Sequence, residues 1–117
     1  MYKFMEVEYF TTASGNSPIE KYLLKIPADH ATRILKDIDL FQKYSLDHLK
    51  KTNDVEKIKG IRQTIWELKT RCRNNIIYRT LFESFENKIH ILNIINKKEQ
   101  KTRKTAIDLA VSRTKYQ

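Results

Sequence analysis

Three short apolar runs in the second half of the chain carry the clearest pattern of hydrophobic and polar positions. They span 65–69, 76–82 and 88–95, and they are rich in Ile, Leu, Tyr and Phe. Runs of this length and composition are typical of strands. The spacers 70–75 and 83–87 are short enough for hairpins, so the pattern predicts antiparallel pairing of three strands.

The first half of the chain predicts one strand followed by two helices. Residues 2–11 combine aromatic and β-branched residues and indicate a strand. Ser17 fits a helix N-cap, with Pro18 at the first helical position and Glu20 completing a capping box. Because Pro27 follows, this helix ends near residue 26, and a second helix runs from there to about 44. The second helix has an apolar stripe of Ala31, Ile34, Leu35, Ile38 and Phe41.

Two further segments complete the predicted fold. Residues 46–56 are polar and are predicted as a loop with an Asn-Asp turn. Residues 102 to about 115 are predicted as a helix with Ala106, Leu109, Ala110 and Arg113 on one side. The order is therefore strand, helix, helix, three strands, helix. This order predicts one α+β domain over 1–117, in which an antiparallel sheet of about four strands carries the two N-terminal helices.

Positive charge is concentrated in the second half of the chain. The whole chain has a formal net charge of +9. Residues 1–56 hold eight Lys/Arg against nine Asp/Glu, whereas residues 57–117 hold fifteen against five. This asymmetry predicts a directional face for a polyanion, with RNA as the favoured ligand. A solvated basic surface without a partner is the alternative interpretation.

Composition excludes several classes of protein. No run of about 18 apolar residues exists, and the N-terminus carries acids where a signal peptide needs an apolar segment. The single cysteine, Cys72, excludes an intrachain disulfide, and the three histidines show no metal-ligand spacing. The sequence predicts a cytoplasmic protein without a membrane span, a bound metal or a cofactor.

Alternation along the predicted strands brings three charged residues to one face of the sheet. Glu67 and Lys69 point to the same side of their strand, and a hairpin adds Arg79 from the next strand. Burying such a trio is costly unless the charges are paired or solvated. Two interpretations stay open: a structural ion pair of Glu67 with Arg79 or Lys69, or a concave phosphate site in which Glu67 is available for proton transfer.

Further cations near these strands are candidate contacts for RNA phosphates. Lys97, Lys98, Lys101 and Lys104 follow directly from the third strand. Phosphate relieves the repulsion within such a cluster, which is why basic runs often mark nucleic-acid contacts. The candidate RNA- or phosphate-binding residues are Lys57, Lys59, Arg71, Arg73, Lys97, Lys101 and Lys104.

Several sequence pieces together carry a family resemblance. They are Ile58-Lys-Gly-Ile61, Trp66-Glu-Leu-Lys69, Tyr78-Arg79, Asn96-Lys-Lys98, Gln100-Lys-Thr102 and the helix with Ala106, Ala110 and Arg113. Jointly they resemble the HigB toxins, the phage-derived branch of the RelE/ParE superfamily of type II toxin–antitoxin systems. The resemblance covers about residues 2–114 in element order and is strongest over 57–113.

The resemblance implies a RelE-like fold and a ribosome-dependent mRNA endonuclease. A small HigA-like helix-turn-helix antitoxin would neutralise the enzyme and, by binding operator DNA, repress the operon. In such enzymes the RNA 2′-hydroxyl attacks the adjacent phosphorus without a metal and leaves a 2′,3′-cyclic phosphate. Cations stabilise the pentavalent phosphate, and a general base and a general acid complete the reaction.

Carried over position by position, the resemblance implies Lys69, Arg79 and Lys98 as catalytic cations. Glu67 is a candidate general base because of its facing geometry, and Lys98 is the other candidate. Two departures from the family pattern stand out. Lys69 occupies a position where arginine is usual and lacks its bidentate fork, and Arg103 stands where proline is usual.

Two other functions stay open on the same scaffold. One is a non-catalytic, basic nucleic-acid-binding or regulatory module. The other is a toxin that acts on DNA gyrase, as in the ParE branch. Lys69, Arg79 and the Lys97-Lys98 pair favour RNA cleavage over the action on gyrase.

Overall fold

A computed structural model describes residues 5–96 and 103–117 of the chain. Within these ranges the elements are β1 (Glu6–Tyr9), α1 (Pro18–Lys25), α2 (Ala28–Asp39), α3 (Leu46–Leu49), β2 (Val55–Lys57), β3 (Trp66–Cys72), β4 (Ile76–Phe85), β5 (Lys88–Asn96) and α4 (Arg103–Ser112). The predicted α+β class and the order of the main elements are confirmed, although the sheet has five strands rather than about four. None of the helices in the described ranges is long and apolar enough to cross a bilayer.

The sheet has the strand order β1-β5-β4-β3-β2. The pairs β2–β3, β3–β4 and β4–β5 are antiparallel, as predicted for the three main strands. The edge strand β1 pairs with β5 in parallel, so the sheet as a whole is mixed. A parallel neighbour needs a long crossover, and the chain from α1 to β4 supplies it.

The prediction of a loop over 46–56 is wrong at both ends of this segment. Ser45 caps α3 by accepting a hydrogen bond from the His48 backbone N–H at 3.2 Å. Val55 opens β2 and is buried opposite Leu68. A strand of three residues is too short to show a period-2 pattern in the sequence, so nothing local indicates it.

The two N-terminal helices begin as predicted, but the second is shorter. The Ser17 hydroxyl accepts a hydrogen bond from the Glu20 backbone N–H at 3.4 Å, and Pro18 is the first helical residue. Helix α2 ends at Asp39 and continues as a 3₁₀ turn over 40–42. Its stripe buries Ile34 and Ile38, whereas Leu35 is exposed.

Helices cover both faces of the sheet. On one face, termed the hairpin face after the helical hairpin α1–α2, these two helices pack on one hydrophobic cluster. On the opposite face, termed the α4 face, α4 packs on a smaller hydrophobic cluster. Successive residues of a strand point to opposite faces. Leu68 and Phe82 therefore belong to the first cluster, while Ile65 and Leu81 belong to the second.

A buried carboxylate fastens the segment after α4 to the sheet. Glu83 of β4 has no exposed surface and accepts hydrogen bonds from His90 Nδ1 at 2.6 Å and from the Lys115 backbone N–H at 2.7 Å. Glu8 of β1 accepts from Lys115 Nζ at 2.8 Å and from the Tyr116 hydroxyl at 3.1 Å. These contacts keep the chain end on the α4 face.

These contacts of Glu8 predict that the stability of the fold depends on pH, and that Glu8→Gln removes this dependence. The hydrogen bond from Lys115 is the largest influence on Glu8, and it lowers the pKa of this carboxyl below its ordinary value of 4.5. A lowered carboxyl pKa stabilises the fold above the unfolded-state pKa, and this contribution disappears as the pH falls through the folded-state pKa. We therefore expect the urea midpoint of the wild type to exceed that of Glu8→Gln near pH 7, with the difference closing below pH 4.5.

Glu6→Gln, on the same strand, controls for the loss of one negative charge. A difference between wild type and Glu8→Gln that stays constant from pH 7 to pH 3 would contradict the predicted linkage.

Candidate phosphate-binding site

Two cations face each other directly on the α4 face of the sheet. Lys69 of β3 and Arg79 of β4 occupy the same register position. Like charges opposite one another in an antiparallel pair repel and destabilise the sheet. Each cation also has a carboxylate partner: Lys69 Nζ lies 3.4 Å from Glu56 Oε1, and Arg79 Nη1 donates to Glu67 Oε1 at 2.6 Å.

The two carboxylates face each other as well. Glu56 of β2 lies opposite Glu67 of β3. The neighbouring register positions therefore hold a pair of acids and a pair of cations, and each acid contacts one of the cations. If any one of the four charged side chains is removed, two like charges still face each other, and only one of them keeps its partner of opposite charge. The four side chains therefore form one electrostatic unit. Three of its members, Glu67, Lys69 and Arg79, form the cluster that strand alternation predicted.

A third cation reaches this unit from α4. Arg103 Nη1 lies 3.3 Å from Glu67 Oε2, and its side chain is 53% exposed. The Glu67 side chain is only 3% exposed, and that of Arg79 is 14% exposed. Glu67 Oε1 has a short hydrogen bond, whereas Glu67 Oε2 is buried without a hydrogen-bond partner among the described residues. The contact with Arg103 is therefore electrostatic rather than a formed hydrogen bond.

Three of the predicted phosphate contacts already have acidic partners away from the central unit. Arg71 forms an ion pair with Asp54 at the edge of the sheet. Arg73 Nε lies 2.9 Å from Asp29 Oδ2 of α2, towards the hairpin face. Lys104 is largely exposed and pairs with Asp108 of its own helix at 3.0 Å. The structure does not bring these cations to the Lys69–Arg79 pair.

The remaining predicted cations differ in their position relative to the site. Lys57 ends β2 opposite Trp66, so alternation places it on the hairpin face. Lys59 follows β2 in an exposed loop. The other predicted cations, Lys97, Lys98 and Lys101, lie outside the described residues. Strand β5 ends at Asn96, one residue beyond the position opposite Arg79.

Sequence reasoning missed two members of the site. Glu56 was assigned to a loop because β2 is too short to recognise, so its pairing with Lys69 could not be anticipated. Arg103 was visible only as a departure from the family pattern. Its placement beside Glu67 depends on how α4 packs across the sheet, and no local sequence signal encodes that packing.

Comparison with known proteins places the chain in a family. A family model described as "Phage derived protein Gp49-like (DUF891)" matches residues 21–115. This chain belongs to the Gp49-like family. The family is toxin-like, of the type II toxin–antitoxin kind related to RelE and ParE. A search of curated proteins finds no match. The matched range includes the whole of β2, β3, β4 and α4, and therefore every side chain of the charged unit.

The buried ion pair predicts a large effect of Arg79→Ala on stability. Loss of this guanidinium leaves the buried Glu67 carboxylate with the exposed Arg103 as its only cationic contact among the described residues. We expect the free energy of unfolding, measured by urea denaturation, to fall by about 3 kcal/mol. The double variant Glu67→Gln/Arg79→Ala should lose clearly less, since the buried charge is removed together with its partner. Equal losses in the single and double variants would contradict this coupling.

Proposed function

We propose that this Gp49-like protein is the toxin of a type II toxin–antitoxin system and a ribosome-dependent mRNA endonuclease of the HigB branch. The observation that supports the proposal is the pairing of Lys69 and Arg79 at one register position. Two cations at that spacing can contact two non-bridging oxygens of one phosphodiester, and such contacts stabilise the charge that develops during phosphoryl transfer.

The proposed reaction needs no group other than RNA and side chains. The 2′-oxygen attacks the adjacent phosphorus, its proton passes to a general base, and a new P–O bond closes the 2′,3′-cyclic phosphate. The bond from phosphorus to the 5′-oxygen breaks, and a general acid protonates that oxygen. Glu67 and Lys98 are the two candidates for the general base. Lys98 is also a candidate for the general acid that protonates the leaving 5′-oxygen.

Preorganisation supports Arg79 as the main phosphate contact. Its short hydrogen bond to Glu67 and its low exposure fix the guanidinium before substrate arrives. Donors that are already oriented need little reorganisation in the transition state, and this is where electrostatic catalysis gains most. Lys69 is held more loosely by the exposed Glu56 and can turn towards a phosphate at low cost.

The proposed partners follow from the same assignment. A HigA-like antitoxin would neutralise the toxin in the cytoplasm, and operator DNA would be contacted through that antitoxin. The message would be cut on the ribosome. Lys57, Lys59, Lys97, Lys101 and Lys104 are proposed to contact the RNA backbone outside the cleaved bond. Arg71, Arg73 and Lys104 would first have to exchange their aspartate partners for phosphate.

Mapping of new mRNA 5′ ends after induction in growing cells tests this function. We expect in-frame cuts within translated messages and growth arrest. Lys69→Ala should lower cleavage about 100-fold, because removal of one oriented donor to the developing charge typically costs this much. Arg79→Ala should abolish detectable cuts; the Lys69 variant guards against misfolding, since its partner Glu56 is exposed.

The other outcomes are equally informative. Growth arrest without cuts would overturn cleavage and favour a target such as gyrase. Neither arrest nor cuts would favour a non-catalytic basic module, in which the Glu67–Arg79 pair is purely structural. Undiminished cleavage by both variants would overturn the site assignment alone.

A further inference from the structure

We propose that Arg103 is an additional phosphate-binding residue of this site. In the free protein its guanidinium faces Glu67; in the complex it contacts a phosphodiester of single-stranded RNA next to the one held by Lys69 and Arg79. This inference rests on the proposed function, and it adds a residue from α4 to a site otherwise built from strands.

The two arginines that face Glu67 are held very differently. Arg79 donates a 2.6 Å hydrogen bond and is almost enclosed. Arg103 makes only a 3.3 Å contact with an oxygen that forms no hydrogen bond among the described residues, and half of its side chain is exposed. A loosely held, exposed cation can leave a carboxylate for a phosphate at little cost. Arg79 is therefore the preformed phosphate contact of the site, whereas Arg103 can move from Glu67 to a second phosphate.

The position of Arg103 on α4 also favours an anionic ligand. Arg103 and Lys104 open the described range of the helix, and the first turn of that range contains no acid. Lys104 is compensated by Asp108 of the same helix. For Arg103 the nearby anion is Glu67, which Arg79 already neutralises.

Counting the charges of the site leads to the same ligand. Among the described residues, Lys69, Arg79 and Arg103 carry three positive charges, against two negative charges on Glu56 and Glu67. Arg103 supplies the surplus charge, and it borders the buried Glu67 oxygen that has no hydrogen bond within that part of the chain. A monoanionic phosphodiester would balance this surplus. A guanidinium can also bind it through two parallel hydrogen bonds, which a lysine at this position could not supply.

The test compares Arg103→Ala with Arg33→Ala in binding to a short single-stranded RNA. Arg33 is an exposed arginine of α2, the helix packed on the hairpin face, so both variants lose one positive charge from a helix surface. Fluorescence anisotropy over a range of salt concentrations should show about tenfold weaker binding for Arg103→Ala, with a salt slope smaller by about 0.7. Arg33→Ala should remain within about twofold of the wild type.

Two further measurements keep the result interpretable. Arg103→Lys keeps the positive charge but loses the bidentate geometry of the guanidinium. Its affinity for RNA should therefore lie between that of Arg103→Ala and that of the wild type. Side-chain Nε–Hε NMR signals should shift on RNA addition for Arg103 but not for Arg33. Equal affinity of wild type and Arg103→Ala, or an unmoved Arg103 signal, would overturn the inference.

These outcomes separate the inference from the proposed function. Arg103-dependent binding of RNA that is never cut, including on ribosomes, would overturn the endonuclease while supporting Arg103. Cleavage in cells that is unaffected by Arg103→Ala, together with unchanged binding, would overturn Arg103 while leaving the endonuclease intact. Absence of binding of this RNA by the wild type would overturn the role of Arg103, whereas the endonuclease is decided separately by the mapping of cuts in translated messages.

Discussion

The pairing of one buried carboxylate organises the site. Glu67 lies on β3, between β4 and the edge strand β2, with almost no exposed surface, and an unpaired charge there would cost several kcal/mol. Its requirement for a partner fixes the Arg79 guanidinium, and the register of β3 with β4 places Lys69 directly opposite Arg79. The start of α4 approaches the same carboxylate through Arg103. One electrostatic constraint therefore relates two strands and a helix, and it leaves cations oriented towards the α4 face.

The α4 face contains a second buried carboxylate, which shows what a purely structural acid looks like in this fold. Glu83 is fully enclosed, and both of its oxygens accept hydrogen bonds, from His90, from the backbone after α4 and from Gln117. Glu67 instead keeps one buried oxygen, next to an exposed arginine, that has no hydrogen bond within the described ranges. The first acid is satisfied within the fold. The second is only partly satisfied within the described part of the fold.

The excess of positive charge along the sequence does not by itself mark the cations of the candidate site. The second half of the sequence has a large positive excess, yet Arg71, Arg73 and Lys104 are each paired with an aspartate. Asp54 and Asp29 come from the nearly neutral first half, so folding brings acids onto the basic half and cancels part of its excess. What distinguishes Lys69, Arg79 and Arg103 is their convergence on one unit that, among the described residues, holds more cations than carboxylates. Membership of the Gp49-like, toxin-like family gives that convergence a functional context.

The sequence by itself determined the α+β class, the three main strands and the clustering of Glu67, Lys69 and Arg79, because alternation with a period of two follows directly from strand geometry. It also determined the start of α1, since Ser17 and Pro18 act locally. Only the tertiary structure decided that β1 pairs in parallel, that β2 exists, that Glu56 faces Glu67 and that Arg103 reaches the site. Each of these depends on contacts between residues distant in the chain, and a short strand or a single arginine carries no local periodicity from which such contacts could be predicted.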